Sequence, residues 1–162
     1  MFPDTTQIWL DAGNYFGDAS EAGLRKTKTL TEAMGRLGYS AANLGEREIH
    51  FGHDRLRQEM EEAAFPFLSG NVVYQDSGKR FLAPSVILKV EALRPGGKKQ
   101  KIRVGILGLA RMNPGLSQET PDGRRIVTSD PLSAAREAVP ALRKKSDLLV
   151  VLATLEPEEA RA

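Results

Sequence analysis

No cysteine occurs among the 162 residues. Its absence removes disulfides, thiolate nucleophiles, zinc-thiolate sites and iron-sulfur ligation together, and leaves the redox compartment open. Histidine is almost as scarce. The two present, His50 and His53, stand three apart as some zinc ligands do, but a lone pair at a helix start is more often a surface feature. No apolar run approaches the roughly 18 residues of a membrane span. The opening "MFPDTTQIWLDAG" has neither the basic start nor the apolar core of a signal peptide. The expectation is a soluble chain with no membrane partner, its localisation open because a lost upstream segment would carry any leader. Charge of one sign is lacking too. A formal net charge of +2 with a pI near 9.0 is a near balance of many acids and bases, so a nucleic-acid partner is disfavoured.

What is present fits one domain. The apolar fraction of 41% and the charged fraction of 27% are those of an ordinary globular chain, and this length buries about two-thirds of the unfolded surface. Residues 1–162 are therefore read as a single domain. Apolar runs alternate with amphipathic stretches, which predicts an α/β layered sheet with flanking helices. Strands are expected around Ile8, Ala42, Leu68, Ile87, Val104 and Val150. Residues 20–37 place Leu24, Leu30, Met34 and Leu37 at helical spacing before Gly38, and residues 53–65 set Leu56, Met60 and Ala63 on one face. "FPFLSGNVVY" reads as one buried strand, "RPGGKKQ" as a solvated hairpin tip, and residues 111–125 as a polar loop. Asp130 and Pro131 supply a cap and a first helical residue, and Pro140 is expected to kink the helix they open.

Two patterns invite chemistry and do not sustain it. Gly105 and Gly108 of "VGILGLA" fall inside an apolar strand, not at the strand-to-helix turn a phosphate loop needs. The lysines of "GGKKQK" keep a hairpin tip soluble. "NLGEREIHFG" is different, because it reads as a strand running into a loop that presents Glu46, Arg47 and Glu48 in a row. Two of these side chains could bind a metal, and the third would repel it.

The order of several such pieces carries more than any one. "LDAGNYFGD", "AANLGEREIHFG", "FPFLSGNVV", "VGILGL" and "DLLVVLATL" follow the sequence and spacing of the calcineurin-like metallophosphoesterase domain of the 5'-nucleotidase and UDP-sugar hydrolase family, which the chain resembles over almost its whole length. The matching family segments look like L-D-A-G-D, L-G-N-H-E-F-D-x-G, S-A-N-V, V-G-I-I-G-L and a strand ending in histidine before leucine. The resemblance implies a metallophosphoesterase-like fold. It also implies a site in which two divalent ions, roughly 3.5 to 4 Å apart, polarise a phosphate ester and activate a bridging water.

At the family's site positions the chain departs from the pattern. Asn14 stands where the resemblance puts the bridging aspartate, Glu46 where it puts the metal-binding asparagine, Arg47 where it puts the histidine, and Thr154 where it puts a later histidine. Glu48 keeps an acid that in relatives supports the histidine. No Asp-x-His precedes Asp11, and no Gly-His-x-His follows. The first and last ligand-bearing strands are therefore expected to be missing, as in a domain truncated at both ends. A guanidinium neither ligates metals nor deprotonates in a protein.

The reading is thus a family domain with no catalytic residue, no metal ligand and no cofactor, although family relatives use two divalent ions. It acts as a binding or assembly element whose partner is another protein chain or domain. The alternative is an active phosphate-ester or nucleotide hydrolase completed by another chain or a missing segment. Arg47 is expected to reach Asp11 or Asp18, filling with its charge the space of the metals, so that Arg47→Ala destabilises more than Arg124→Ala.

Overall fold

The computed structural model describes residues 6–93 and 97–156. Residues 94–96 of the expected hairpin tip, the first five residues and the acidic tail from 157 lie outside the described residues. In chain order the elements are β1 (Trp9–Asp11), α1 (Glu21–Leu37), β2 (Tyr39–Asn43), α2 (Glu46–His50), α3 (His53–Glu62), β3 (Phe67–Leu68), β4 (Val72–Tyr74), β5 (Ser85–Leu93), β6 (Lys99–Leu109), β7 (Ser117–Glu119), β8 (Arg125–Thr128), α4 (Pro131–Arg143) and β9 (Leu148–Ala153). Three sheets of three strands result: a parallel β1-β2-β3, an antiparallel β4-β8-β7, and β5-β6-β9, in which β6 runs antiparallel to β5 and parallel to β9.

The α/β layering expected from the alternation is present, and the period of two explains its layers. Ala41 and Leu68 face Val104, Ile106 and Leu152 of the third sheet. Their sequence neighbours Ala42 and Phe67 turn the other way, into a core shared with Phe16, Ile49, Leu56 and Ile126. On the far side of the third sheet, Leu107 and Leu109 receive Ala134 and Leu142 of α4. Each large apolar side chain buried this way contributes about 1.5–3 kcal/mol. Gly108, in β6, is needed for the sheets to meet: a Cβ there would stand 2.6 Å from Asn43 Oδ1 and 2.7 Å from Leu68 O.

Four expectations change in detail. The buried face of α1 is Gly23, Thr27, Thr31 and Met34, while Leu30 and Leu37 are exposed. Threonine can be buried there because each hydroxyl donates to a carbonyl four residues back, Thr27 to Gly23 O and Thr31 to Thr27 O, both at 3.0 Å. "FPFLSGNVVY" is two strands in two sheets, parted by the turn of Ser69, Gly70 and fully buried Asn71. The stretch read as a loop contains β7, and β8 follows its turn at Gly123, whose φ of 77° closes the hairpin. "GEREI" is not an open loop. Gly45 caps α2, and Glu48 reaches back to the Gly45 amide at 2.9 Å. Asp130 caps α4 through Leu132 N and Ser133 N, and that helix runs past Pro140 to Arg143.

Candidate functional site

Ends of parallel strands converge at one place, the position where layered α/β folds carry their sites. Asn43, the last residue of β2, is fully buried, and its amide donates to Ala12 O at 3.0 Å and Leu109 O at 2.9 Å. That joins the ends of β1, β2 and β6. Thr154, just past β9, donates its N–H to Leu109 O at 3.2 Å and accepts from Arg111 N at 3.2 Å. Asn71 donates to Ala110 O and Ser129 O at 2.7 and 2.8 Å and accepts from Ala110 N at 2.8 Å.

Glu48 is the centre of the arrangement. Its carboxyl group is fully buried and accepts three main-chain N–H groups: Asn14 and Gly45 at 2.9 Å on Oε2, and Phe16 at 3.1 Å on Oε1. Burial raises its pKa, and the three amides oppose that rise. Glu48 therefore fastens the β1–α1 loop onto the start of α2. The fit leaves no room for a side chain at position 45, where a Cβ would lie 2.4 Å from Asn14 Oδ1. Asn14 holds a positive φ of 65°, a conformation asparagine tolerates better than most residues. Its Oδ1 accepts the Arg47 amide at 3.1 Å.

The remaining predicted residues lie around this knot. Glu46 is half-buried and Arg47 is exposed. Asp11 is half-buried, accepts Gly13 N at 2.7 Å, and has its pKa raised by desolvation. Asp18 is bound by the amide and hydroxyl of Ser20, which lower its pKa. Arg47 shares with Asp18, Ser20, Lys26, His50 and Phe51 a cleft of about 700 Å³. Among the described residues no ion pair joins Arg47 to Asp11 or Asp18, so the expected internal replacement of the metals by a guanidinium is not made. Each carboxylate already has a nearer donor, and the short α2 helix turns Arg47 outward.

The two histidines part company at Gly52. His50 lines the cleft, while His53 bonds Asp54 at 3.0 Å and sets its ring against Phe81. Sequence reading missed Asn43 and Asn71, whose polar side chains at strand ends look like ordinary loop beginnings. The "S-G-N" turn was the available signal for Asn71.

The donors do not suit a pair of divalent ions. Asn14 brings an amide, Arg47 a permanent cation and Thr154 a hydroxyl, while the oxygens of Glu48 are taken by main-chain amides. Among the described residues no group of three His, Cys, Asp or Glu side chains could hold a metal.

No family model matches the chain. It is 28% identical over 120 residues to a 2',3'-cyclic-nucleotide 2'-phosphodiesterase/3'-nucleotidase of Yersinia enterocolitica, a match covering 74% of the chain and 18% of that relative. It is 26% identical over 147 residues to a 5'-nucleotidase of Vibrio cholerae, covering 90% of the chain and 25% of the relative. In structure it superposes on the calcineurin-like phosphoesterase YfkN of Bacillus subtilis with a TM-score of 0.72 and 23% identity, over 90% of this chain and 47% of that one. A 5'-nucleotidase precursor of Thermus thermophilus gives a TM-score of 0.68 and 27% identity, over 94% and 29%. The chain thus spans about a fifth to a quarter of its curated relatives.

Proposed function

We propose that this chain, a divergent partial relative of the calcineurin-like phosphoesterases of the 5'-nucleotidase and cyclic phosphodiesterase kind, does not hydrolyse phosphate esters by itself and acts as a binding or assembly element. The supporting observation is a division within the site. Groups that hold the scaffold together are kept, with Glu48 accepting three amides. Groups that would meet a metal are an amide at Asn14, a guanidinium at Arg47 and a hydroxyl at Thr154. Two closely spaced cations repel one another and must shed water, which takes several anionic or imidazole donors on the same centre. In this form the protein holds neither metal nor other cofactor.

A second reading, a phosphate-ester hydrolase completed by donors from another polypeptide, draws on the small share of its relatives that the chain spans. One assay separates the two. The purified chain, supplied with manganese, cobalt or zinc and a nucleoside monophosphate, is expected to release no phosphate above the metal blank and to retain no stoichiometric transition metal after dialysis. Turnover, or one or more ions per chain by elemental analysis, would refute the inactive reading. Restoring Asp, Asn, His and His at Asn14, Glu46, Arg47 and Thr154 is expected to leave activity absent, since Asp-x-His and Gly-His-x-His donors would still be lacking.

A further inference from the structure

We propose that duplex nucleic acid lies by its phosphate backbone in a basic corner between the β5–β6 ribbon and the end of α4. The near balance of charge over the whole chain, a formal +2, is not spread evenly. β9 joins β6 only from Val104 onward, so among the described residues the outer part of the third sheet is a two-stranded ribbon, residues 89–93 against 99–103. Alternation puts Lys99, Lys101 and Arg103 on the same face as Gly105 and Leu107. Leu93, Glu91 and Lys89 stand directly opposite those three, and all six are exposed. Further in, α4 covers this face: a Cβ on Gly105 would lie 2.9 Å from Leu142 Cγ, and Lys145 lines one recess with Ile87 and Leu142.

Folding alone does not ask for this arrangement. Lys89 faces Arg103 across the ladder, and like charges so placed are destabilising. The acids of the corner are already taken, Glu91 by Lys99 at 3.1 Å and Asp147 by Arg103 at 2.8 Å. Among the described residues Lys89, Lys101 and Lys145 make no ion pair, which leaves three cations in one concave patch. Lysines that blunt a sheet edge lie along it, whereas these stand off the face. Geometry then selects the occupant. A helix is about 10 Å thick, so where α4 ends at Arg143 the covered face drops to the ribbon in a step. A flat lipid surface cannot reach the floor of that step, but a rod can lie in its angle. Lys145 meets such a rod from the helix side, and Lys89 and Lys101 meet it from beneath. None of these residues is aromatic, so nothing here stacks on an unpaired base, and contacts confined to phosphate carry no sequence preference. The occupant that fits is a duplex read by its charge alone.

This inference does not rest on the loss of hydrolysis proposed above, and its test reads association rather than turnover. Fluorescence anisotropy of a labelled, mixed-sequence DNA duplex titrated with the whole chain is expected to show binding at low salt. Log affinity should fall with log salt at a slope of about −3, one phosphate for each of the three lysines. Lys89→Gln with Lys101→Gln is expected to weaken binding about tenfold and to make that slope shallower by about 2, with an unchanged circular dichroism spectrum. Lys28→Gln with Arg36→Gln removes the same charge from α1, which packs against the first sheet, and is expected to leave affinity and slope as in the wild type. No association at low salt overturns the proposal. So does an equal loss in the two double variants, tighter binding of one separated strand than of the duplex, or capture by phosphatidylserine vesicles in place of the duplex.

Discussion

On the inner side of the α2 turn, Glu48 is fully buried and its two oxygens together accept three main-chain N–H groups, two from the β1–α1 loop and one from Gly45. One residue earlier, Arg47 is exposed, lines an open cleft and makes no ion pair among the described residues. Both residues sit in the stretch that the family resemblance marks as catalytic. Glu48, the side chain that organises the backbone, is the acid that the resemblance also carries, and Arg47 stands where the resemblance puts a histidine. The architecture around Glu48 rests on hydrogen bonds to main chain, which do not depend on a metal.

The contrast is broken hardest at Glu48. Glu48→Ala strands three amides and leaves a cavity, and is expected to lower unfolding stability by at least about 3 kcal/mol, measured by denaturant melts. A loss under about 1 kcal/mol would mean that the carboxyl group does not fasten the two loops. Glu48→Gln sharpens the point through pH. Because burial raises the folded pKa, the folded protein binds this proton more tightly than the unfolded chain does. The contribution is complete below the ordinary glutamate range and is lost as pH rises through the raised value. The wild type is therefore expected to lose stability over that window while Glu48→Gln stays flat, so parallel profiles would deny the shift.

A smaller effect distinguishes the two arginines. Arg124 holds Asp76 with two bonds, at 2.9 and 3.0 Å, bonds Ser77 Oγ at 3.1 Å, and sets its guanidinium 3.7 Å from the Tyr74 ring centre. The order expected from sequence is therefore reversed. Arg124→Ala is expected to lower the denaturation midpoint more than Arg47→Ala, which should stay within about 0.5 kcal/mol of wild type. The smallest effect belongs to the acid limb. Arg103 holds Asp147 through two guanidinium bonds and its own amide, and lowers its pKa to about 2. That contribution is present above the ordinary aspartate range and lost as pH falls through about 2. Asp147→Asn should remove that slope from thermal melts and lower the neutral plateau slightly, the pair being partly exposed to solvent.

The sequence by itself determined the order of the longer strands and helices, because a period of two and a period near 3.6 are local properties; the short α2, β7 and the division of β3 from β4 were not legible in it. Ala42, Leu68, Ile87, Val104 and Val150 all lie in strands, and Ile8 precedes one directly. The order of short motifs likewise made the kinship legible, although no single motif was complete. Tertiary structure decided the rest. Whether Leu30 or Thr31 is the buried face of α1 depends on the carbonyl four residues back and on what packs beside it. Glu48 binds amides 32 and 34 residues away in sequence, and Arg47 turns outward because a three-residue reach from Glu48 to Gly45 closes α2 beneath it. Partners so far apart in the chain are brought together only when the sheets pack, and at that distance residue type tells what a side chain can do but not what it meets.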